Sequence, residues 1–421
     1  MQFVDGGVTA PLGFTANGIL NHIKAGRNTP DTALLYSERR CVAAGVFTQN
    51  RVKAECVKLT ERHIADGRAQ AVIANSGNAN ACTGTQGYAA AVKTAECVAA
   101  TLGVRTEDVL VCSTGVIGQQ LPVTRITSSL QSLADGLSKQ GHVAAREAIM
   151  TTDTRYKECA VTTTVGGKTV TLGTMAKGSG MIHINLGTML GFITTDCAIS
   201  ATMLQTALAE SAAATYNCVS IDGDTSTNDT LLILANGMAE NAEITGPGAD
   251  YDAFLAALNA LNTEMARSIA ADGEGATRLI TCTVTGATTV QTARGLAKAV
   301  ISSNLVKAAF FGRDANWGRI LDAMGYSGYE FTPEQTSVSF MSSAGAQRYA
   351  ARGEQEHGTM RTVHVFANGV PLDFDEALAE AILSEEAVEI LVELHDGSAC
   401  GTAWGCDLTY DYVKINGDYR T

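Results

Sequence analysis

Short apolar runs alternate with amphipathic, alanine-rich segments along most of the chain. Residues 69–73 and 109–112 are apolar and are followed by turn-forming residues, a pattern that predicts buried strands. Residues 87–102 carry alanine at helical spacing and predict a helix. The same reasoning predicts helices at 199–214 and 252–271 and a buried strand at 230–234, and the mixture continues through 363–366 and 387–394.

A hairpin is predicted where residues 156–172 alternate around Gly166 and Gly167. Interleaved strands and helices indicate an α/β (α+β layered) fold in which helices sandwich the sheets. Periodicity does not decide whether the sheets are parallel. A length of 421 residues suggests two lobes, and no low-complexity linker marks a boundary between them.

Composition narrows the class of protein. Hydrophobic residues make up 46% and aromatic residues only 6%, so aliphatic side chains must build the core. The net charge of −13 argues against nucleic acid or an anionic membrane as the main partner. The apolar runs are shorter than the ~18 residues of a membrane span, and the first residues lack the pattern of a secretory signal. A soluble, cytoplasmic protein is therefore expected.

Metal and nucleotide cofactors are not predicted. The eleven cysteines form no C-x-x-C pair and are expected to be reduced and mostly buried, and the seven histidines are dispersed. Residues 165–169 (VGGKT) lack the earlier glycine of a P-loop, and no G-x-G-x-x-G follows a predicted strand.

Two polar loops leave alternatives open. Residues 222–229 (DGDTSTND) hold three carboxylates and three hydroxyls, but their spacing does not fit an EF-hand, so a turn network is favoured over a calcium loop. Residues 112–118 (CSTGVIG) place Thr114 and Gly115 directly after an apolar strand. These two residues could stabilise an oxyanion, although an ordinary strand-to-helix turn is the commoner explanation.

Gly187 and Thr188 interrupt an apolar segment that follows Lys177. A threonine hydroxyl is a nucleophile only where a base removes its proton, and His183 is the only histidine nearby. An α-amine, with a pKa of about 7.7–8.0 against about 10.4 for lysine, is the better base at neutral pH. Cleavage of the Gly187–Thr188 bond would give Thr188 a free α-amine. Lys177 could add positive charge to the site. The residues alone still favour a threonine packed in a strand.

Several motifs together resemble the ornithine acetyltransferases of arginine biosynthesis, also called bifunctional glutamate N-acetyltransferases. The matching segments follow one order along the whole chain: GGVTAPLGF near the start, NSGNANACTG, STGVIG, MTTDT, AKGSGMI, TML with TTD around Thr188, SIDGDTSTNDT, DGEGATR, FGRDANWGRI, and AWGCDLTYDYVKINGDYRT at the end. The resemblance implies the layered fold that this family shares with related aminopeptidases.

The resemblance also implies a reaction and its residues. The chain would cut itself between Gly187 and Thr188 into an α fragment, 1–187, and a β fragment, 188–421. Thr188 would then carry acetyl from N-acetyl-L-ornithine to L-glutamate in a ping-pong transfer, with no cofactor. The oxyanion hole would be Thr114 and Gly115, and the substrate-binding residues Thr151, Lys177, Thr188, Glu274, Asn416 and Thr421.

In this scheme Lys177 would pair with a substrate carboxylate and Glu274 with an ammonium group. The fragments would assemble into a heterotetramer of two α and two β fragments, or a larger assembly. The motifs leave open whether acetyl-CoA is also a donor.

Two departures from the family pattern stand out. Ile184 and Gly187 replace a usual proline and alanine near the cleavage site, which could change its rate in either direction, and Arg278 replaces a frequent lysine. Two other functions compete with the transferase. One is an aminopeptidase or amidase that uses the same N-terminal nucleophile, and the other is an uncut binding protein.

Overall fold

Strands and helices alternate along the chain, as the sequence predicts. The protein is described by a computed structural model that covers residues 1–24, 26–183, 189–342 and 361–418. The strands are β1 (Gln2–Val4), β2 (Phe14–Ile19), β3 (Thr32–Phe47), β4 (Arg68–Asn75), β5 (Val109–Ser113), β6 (Lys157–Val165), β7 (Lys168–Lys177), β8 (Ile182–His183), β9 (Leu190–Thr195), β10 (Ser220–Thr225), β11 (Thr230–Ala235), β12 (Leu279–Ala287), β13 (Ser337–Ser342), β14 (Thr362–Ala367), β15 (Val370–Pro371), β16 (Ala387–Glu393) and β17 (Ala399–Cys406).

The helices of the described residues are distributed along the whole chain. They are α1 (Glu55–His63), α2 (Gly84–Leu102), α3 (Val123–Thr127), α4 (Leu130–Asp135), α5 (His142–Ala148), α6 (Ala201–Ala214), α7 (Ala249–Ala271), α8 (Val290–Ser302), α9 (Asn304–Gly312), α10 (Trp317–Gly325), α11 (Glu376–Leu383) and α12 (Tyr410–Gly417). Polar side chains begin several of them. Ser200, for example, accepts a hydrogen bond from the Met203 N–H at the start of α6.

The chain divides into two units. Unit 1 consists of Met1–Asn217 with Asp224–Met265, and unit 2 of Cys218–Gly223 with Ala266–Thr421. Unit 1 contains a nine-stranded mixed sheet in the order β1-β6-β7-β9-β11-β3-β4-β5, and β2 pairs with the same long strand β3. The pairs β9–β11 and β4–β5 are parallel, whereas the other neighbours are antiparallel.

Both faces of this sheet are buried at β4. Alternation along β4 turns Val72 and Ala74 towards one apolar cluster, which helix α5 covers, and Ala71 and Ile73 towards another. Helices α1 and α2 cover the second cluster, whose members include Val98 of α2. A strand buried on both faces reads as a continuous apolar run, which is why sequence pattern located β4, β5 and β11.

Unit 2 contains a six-stranded sheet in the order β15-β14-β13-β16-β12-β17. Strand β12 is parallel to β16 and antiparallel to β17. Helix α8 packs on β12 and β17, and α9 and α10 pack against α8. This unit therefore also has the layered arrangement of sheet and helices that the sequence predicts.

The predicted elements are confirmed with boundaries shifted by a few residues. The strands at 69–73, 109–112 and 230–234 are β4, β5 and β11, and the helices at 87–102, 199–214 and 252–271 are α2, α6 and α7. The predicted hairpin is β6–β7, where Gly166 and Gly167 have φ values of +55° and +76°. Two successive positive φ values are typical of a two-residue hairpin turn.

All eleven cysteines are free thiols, and most are buried, as expected. Burial raises the pKa of the Cys41 thiol to about 12, so that thiol is protonated at neutral pH. Within the described ranges, no helix is both long and apolar enough to cross a bilayer.

Candidate active site

Strand β5 ends in a tight loop that carries Thr114 and Gly115. The Thr114 N–H donates to the Asn75 carbonyl oxygen at the end of β4 (2.9 Å). Gly115 has a φ of +132°, and a Cβ at this position would lie 2.4 Å from the carbonyl carbon of Gly77 and 2.6 Å from the nitrogen of Asn78. Contact this close to backbone, together with the positive φ, requires glycine at position 115.

The bond to Asn75 changes which groups could stabilise an oxyanion, because it occupies the Thr114 N–H. Across the part of the chain that the structure describes, neither Thr114 Oγ1 nor the Gly115 N–H donates a hydrogen bond. Both residues are half-buried. A hydroxyl and a backbone N–H that are held in place and still available are suited to receive developing negative charge.

Asn228 connects this loop to the strands beside it. The buried Asn228 Nδ2 donates to Ala79 O (2.6 Å) and Ser113 O (2.8 Å). The Asn228 carbonyl oxygen accepts from Thr230 Oγ1 (3.0 Å), and the Thr230 N–H donates to Met189 O (2.9 Å). Hydrogen bonds therefore link the end of β5 to the residue that precedes β9.

We expect Asn228→Ala to lower the free energy of unfolding by about 1–3 kcal/mol, because two buried carbonyl oxygens would lose their donor. Urea denaturation followed by circular dichroism measures this change. Asn304, an exposed residue in the first turn of α9, provides the control, and Asn304→Ala should change the free energy by less than about 0.5 kcal/mol. Equal unfolding midpoints for the two variants would contradict the role of Asn228.

A second cluster of polar residues in unit 1 surrounds the carboxylate of Asp153. The Asp153 side chain is completely buried. Its Oδ1 accepts from Lys157 Nζ (2.8 Å) and from the Gly178 N–H (2.7 Å). Its Oδ2 accepts from the Thr151 N–H (3.1 Å) and lies 3.8 Å from Lys177 Nζ. The structure thus brings together Thr151 and Lys177, two of the predicted substrate-binding residues.

Electrostatics keep this carboxylate ionised. Burial alone would raise the pKa of Asp153, but the charges of Lys177 and Lys157 and the hydrogen bonds from Lys157 and Gly178 outweigh it. The pKa of Asp153 therefore ends well below its ordinary value, and the group is a carboxylate throughout the neutral range.

A cavity of about 460 Å³ lies beside this group, with Thr151 and Asp153 on its wall. Arg27, also on the wall, donates to Met150 O (2.9 Å) and to Glu147 O (3.4 Å). Arg27 therefore fixes the backbone just before Thr151 and the end of helix α5.

Strands β7 and β9 pair Lys177 with a residue that follows the predicted cleavage site closely in sequence. Lys177, the last residue of β7, pairs with Leu190, the first residue of β9. Gly187, Thr188 and Ile184 lie outside the described residues. Cleavage between Gly187 and Thr188 accordingly stays a prediction.

Unit 2 contains the remaining predicted residues. Glu274 is buried, and its Oε2 accepts a hydrogen bond from Asn416 Nδ2 (2.8 Å). Thr409 joins their segments, because its Oγ1 donates to Gly275 O (2.7 Å) and accepts from the Tyr412 N–H (3.3 Å) at the start of α12. Two predicted substrate-binding residues are thus in direct contact, whereas Thr421 lies outside the described residues.

Comparison with known proteins identifies the family. The profile of the ArgJ family matches residues 15–421. The chain belongs to the ArgJ family. It is 50% identical to the arginine biosynthesis bifunctional protein ArgJ of Symbiobacterium thermophilum over 100% of both chains. The protein of the same name from Caldanaerobacter subterraneus subsp. tengcongensis is 48% identical, again over 100% of both chains.

One solved structure with related sequence is the ornithine acetyltransferase of Mycobacterium tuberculosis complexed with ornithine. It is 42% identical, with a TM-score of 0.40, and the match covers 43% of this chain and 96% of that one. This ArgJ family member is an acyltransferase of arginine biosynthesis, as the sequence predicts.

Two sequence features of this ArgJ family member have structural roles. Arg278 is buried and donates to Leu383 O (2.7 Å), and its Nη1 lies 3.3 Å from Asp407 Oδ2. Residues 222–225 belong to β10, and the remainder of the polar stretch forms a turn in which the Asn228 N–H donates to Ser226 Oγ (3.2 Å). The favoured turn network is therefore found in the second half of that stretch.

Sequence reasoning missed Asp153 and Asn228. Both lie within motifs that the family resemblance uses, MTTDT and SIDGDTSTNDT, but their type did not distinguish them from ordinary turn residues. Only their burial and the partners gathered around them show what they hold in place.

Proposed function

We propose that this chain transfers the acetyl group of N-acetyl-L-ornithine to L-glutamate through an acetyl-Thr188 intermediate. The observation that carries the proposal is the placement of Lys177 opposite Leu190, two residues after Thr188, in a unit that also holds the loop of Thr114 and Gly115. Membership of the ArgJ family supports the same reaction.

The first step is self-cleavage between Gly187 and Thr188. The Thr188 hydroxyl oxygen attacks the Gly187 carbonyl carbon, and the C–N bond between the two residues breaks. The proton of the hydroxyl passes to the released nitrogen. Water then hydrolyses the resulting ester, which leaves a carboxylate on Gly187 and a free α-amine on Thr188. That amine can act as the base for the neighbouring hydroxyl.

Acetyl transfer follows in two steps. The Thr188 oxygen attacks the acetyl carbonyl carbon, and the oxyanion accepts hydrogen bonds from Thr114 Oγ1 and the Gly115 N–H. The C–N bond breaks, a proton returns to the leaving nitrogen, and ornithine departs. The amine of L-glutamate then attacks the acetyl ester and regenerates the Thr188 hydroxyl, which splits one acyl exchange into two easier steps.

The proposed substrate contacts divide by charge. The ammonium of Lys177, with Thr151, binds a carboxylate, and the carboxylate of Glu274, with Asn416, binds an ammonium group. Thr188 is itself a substrate contact, and Thr421 is the last of the set. Each assignment rests on the family resemblance and on chemical complementarity.

The two fragments should remain associated after cleavage. Strands β9 and β11 belong to fragment 188–421, but they lie between β7 and β3 of fragment 1–187 in one sheet. Separation would break the ladders on both sides and expose buried strands. Size-exclusion chromatography should give one peak containing both fragments, which separate only in denaturant. Elution in two native peaks would contradict this arrangement.

We further propose that two such pairs form a heterotetramer.

The proposed function is tested by following acetyl from donor to acceptor. Purified protein is mixed with N-acetyl-L-ornithine and L-glutamate, and both products are measured by mass spectrometry. Equal formation of ornithine and N-acetyl-L-glutamate is expected. Ornithine with free acetate, in place of N-acetyl-L-glutamate, would instead indicate the competing amidase. A parallel reaction with acetyl-CoA as the only donor decides whether both donors are used.

A further inference from the structure

Asp153 contacts two segments that carry proposed substrate-binding residues. Its Oδ2 accepts the Thr151 N–H, and its Oδ1 accepts the N–H of Gly178, the residue after Lys177. The two oxygens of one carboxylate therefore fix the backbone at two segments that are distant in sequence. Neither the sequence motifs nor the proposed mechanism gives Asp153 a role.

The same carboxylate also faces two lysines. Lys157 Nζ donates to Asp153 Oδ1 at 2.8 Å, whereas Lys177 Nζ lies 3.8 Å from Oδ2, which is outside hydrogen-bond distance. The exposed fractions of the Lys157, Lys177 and Asp153 side chains are 0%, 9% and 0%. Charges this deeply buried interact strongly because little water screens them.

The two lysines consequently differ in their relation to Asp153. Lys157 is completely enclosed and directly bonded to the carboxylate, as in a structural ion pair. Lys177 is attracted to it across a slightly longer distance and stands at the end of β7, opposite the start of β9. An ammonium group at this place is suited to pair with an anion such as a substrate carboxylate.

We propose that Asp153 is a positioning residue that holds the Lys177 ammonium and the Thr151 backbone in place for the carboxylate of the substrate. This proposal rests on the proposed function, because it presumes that Lys177 and Thr151 contact the substrate. In this role Asp153 acts through these two residues and not on the reacting atoms themselves. Its loss should weaken substrate binding while the chemistry of Thr188 continues.

The alternative is that Asp153 serves only to neutralise Lys157. Replacing Asp153 by asparagine keeps the shape but removes the negative charge that two buried lysines face, so that variant alone would confuse stability with function. The double variant Asp153→Asn with Lys157→Met removes one charge of each sign together with the Lys157–Asp153 ion pair. It separates neutralisation of Lys157 from positioning of Lys177.

The experiment measures KM and kcat for N-acetyl-L-ornithine and L-glutamate on the cleaved fraction of each variant, which a denaturing gel quantifies. A charge-assisted contact of this kind corresponds to about a 10–100-fold change in affinity. We expect the Asp153→Asn/Lys157→Met variant to melt near the wild-type temperature but to keep a KM raised about 10–100-fold. Its kcat should change by much less, as when a binding interaction alone is lost.

A second pair of variants tests whether Asp153 acts through Lys177. Lys177→Met removes the same chemical group as Lys157→Met, from the other lysine that faces the carboxylate. We expect Asp153→Asn to add little to the KM of Lys177→Met, because residues that act together give non-additive effects. An increase of KM by the same factor in both backgrounds would overturn the proposal.

A KM equal to that of the wild type in the Asp153→Asn/Lys157→Met variant would also overturn the proposal. Asp153 would then serve only as a partner of Lys157. Failure of the proposed function would be recognised by a different result, because the wild-type protein itself would then form no N-acetyl-L-glutamate. A wild-type enzyme that transfers acetyl therefore makes every outcome in the Asp153 variants decisive for the inference.

Discussion

Replacing Thr188 by alanine is expected to leave one intact chain and to remove acetyl transfer. The hydroxyl that would open the Gly187–Thr188 bond and carry the acetyl group is absent in this variant, so both activities depend on one atom. A loss of about 10⁶-fold in kcat accompanies removal of the nucleophile in another acyl-transfer enzyme. A denaturing gel and an assay for N-acetyl-L-glutamate together measure the two effects.

Two further variants control this result. Thr188→Ser keeps a hydroxyl and, once cut, an α-amine, so it should be cleaved and retain activity at a reduced rate. Thr206→Ala removes a hydroxyl from an exposed position on α6 and should leave both activities unchanged. Cleavage of Thr188→Ala at the same bond would show that an outside protease performs the cut.

Gly115→Ala is expected to lower kcat by about 10²–10³-fold, the range measured when one oxyanion donor is removed. The added methyl group would lie 2.4 Å from the Gly77 carbonyl carbon, and the φ of +132° is strained for alanine. The loop must shift, and the Gly115 N–H moves with it. Steady-state kinetics on the cleaved fraction measures the effect.

Gly118, three residues along the same loop, supplies the matched control. It also has a positive φ, +82°, but a methyl group added there would have no atom of another residue within 4 Å, apart from its chain neighbours. Gly118→Ala should therefore cost about 1 kcal/mol or somewhat more in stability from backbone strain while kcat stays within a few-fold of wild type. Equal kcat values for the two variants would contradict the placement of the oxyanion donor at Gly115.

The sequence predicted strands that are buried on both faces much better than strands with polar interruptions. Strands β4, β5 and β11 read as continuous apolar runs and were located within two residues of each end. Strand β3 runs through Glu38, Arg39 and Arg40 and was not predicted. The register between β3 and β4 shifts between Tyr36 and Cys41, so the charged residues lie at an irregularity where they reach solvent.

For the candidate site too, the sequence predicts some features and not others. Family motifs predict site roles for Thr114, Gly115, Lys177 and Glu274, because each belongs to a distinctive run of residues. They could not show that the Thr114 N–H is occupied by a carbonyl oxygen of β4, since that contact joins segments that are distant in sequence. Long-range pairing of this kind depends on sheet order, which sequence periodicity does not contain.

The arrangement of strands also bears on the relation between cleavage and folding. The proposed fragments do not correspond to the two units, because residues 188–217 and 224–265 of unit 1 belong to fragment 188–421. The sheet of unit 1 therefore needs residues from both sides of the proposed cut. Under the proposed cleavage, folding of this sheet has to bring β9 and β11 between strands of the other fragment.

The most direct test of the central claim is the intact mass of the purified protein before and after incubation with N-acetyl-L-ornithine alone. Two masses, for residues 1–187 and 188–421, are predicted at the start. After incubation, only fragment 188–421 should gain one acetyl group, at Thr188, and L-glutamate should remove it. A single uncut mass, or an acetyl group that appears elsewhere or never appears, would contradict an acetyl-Thr188 intermediate.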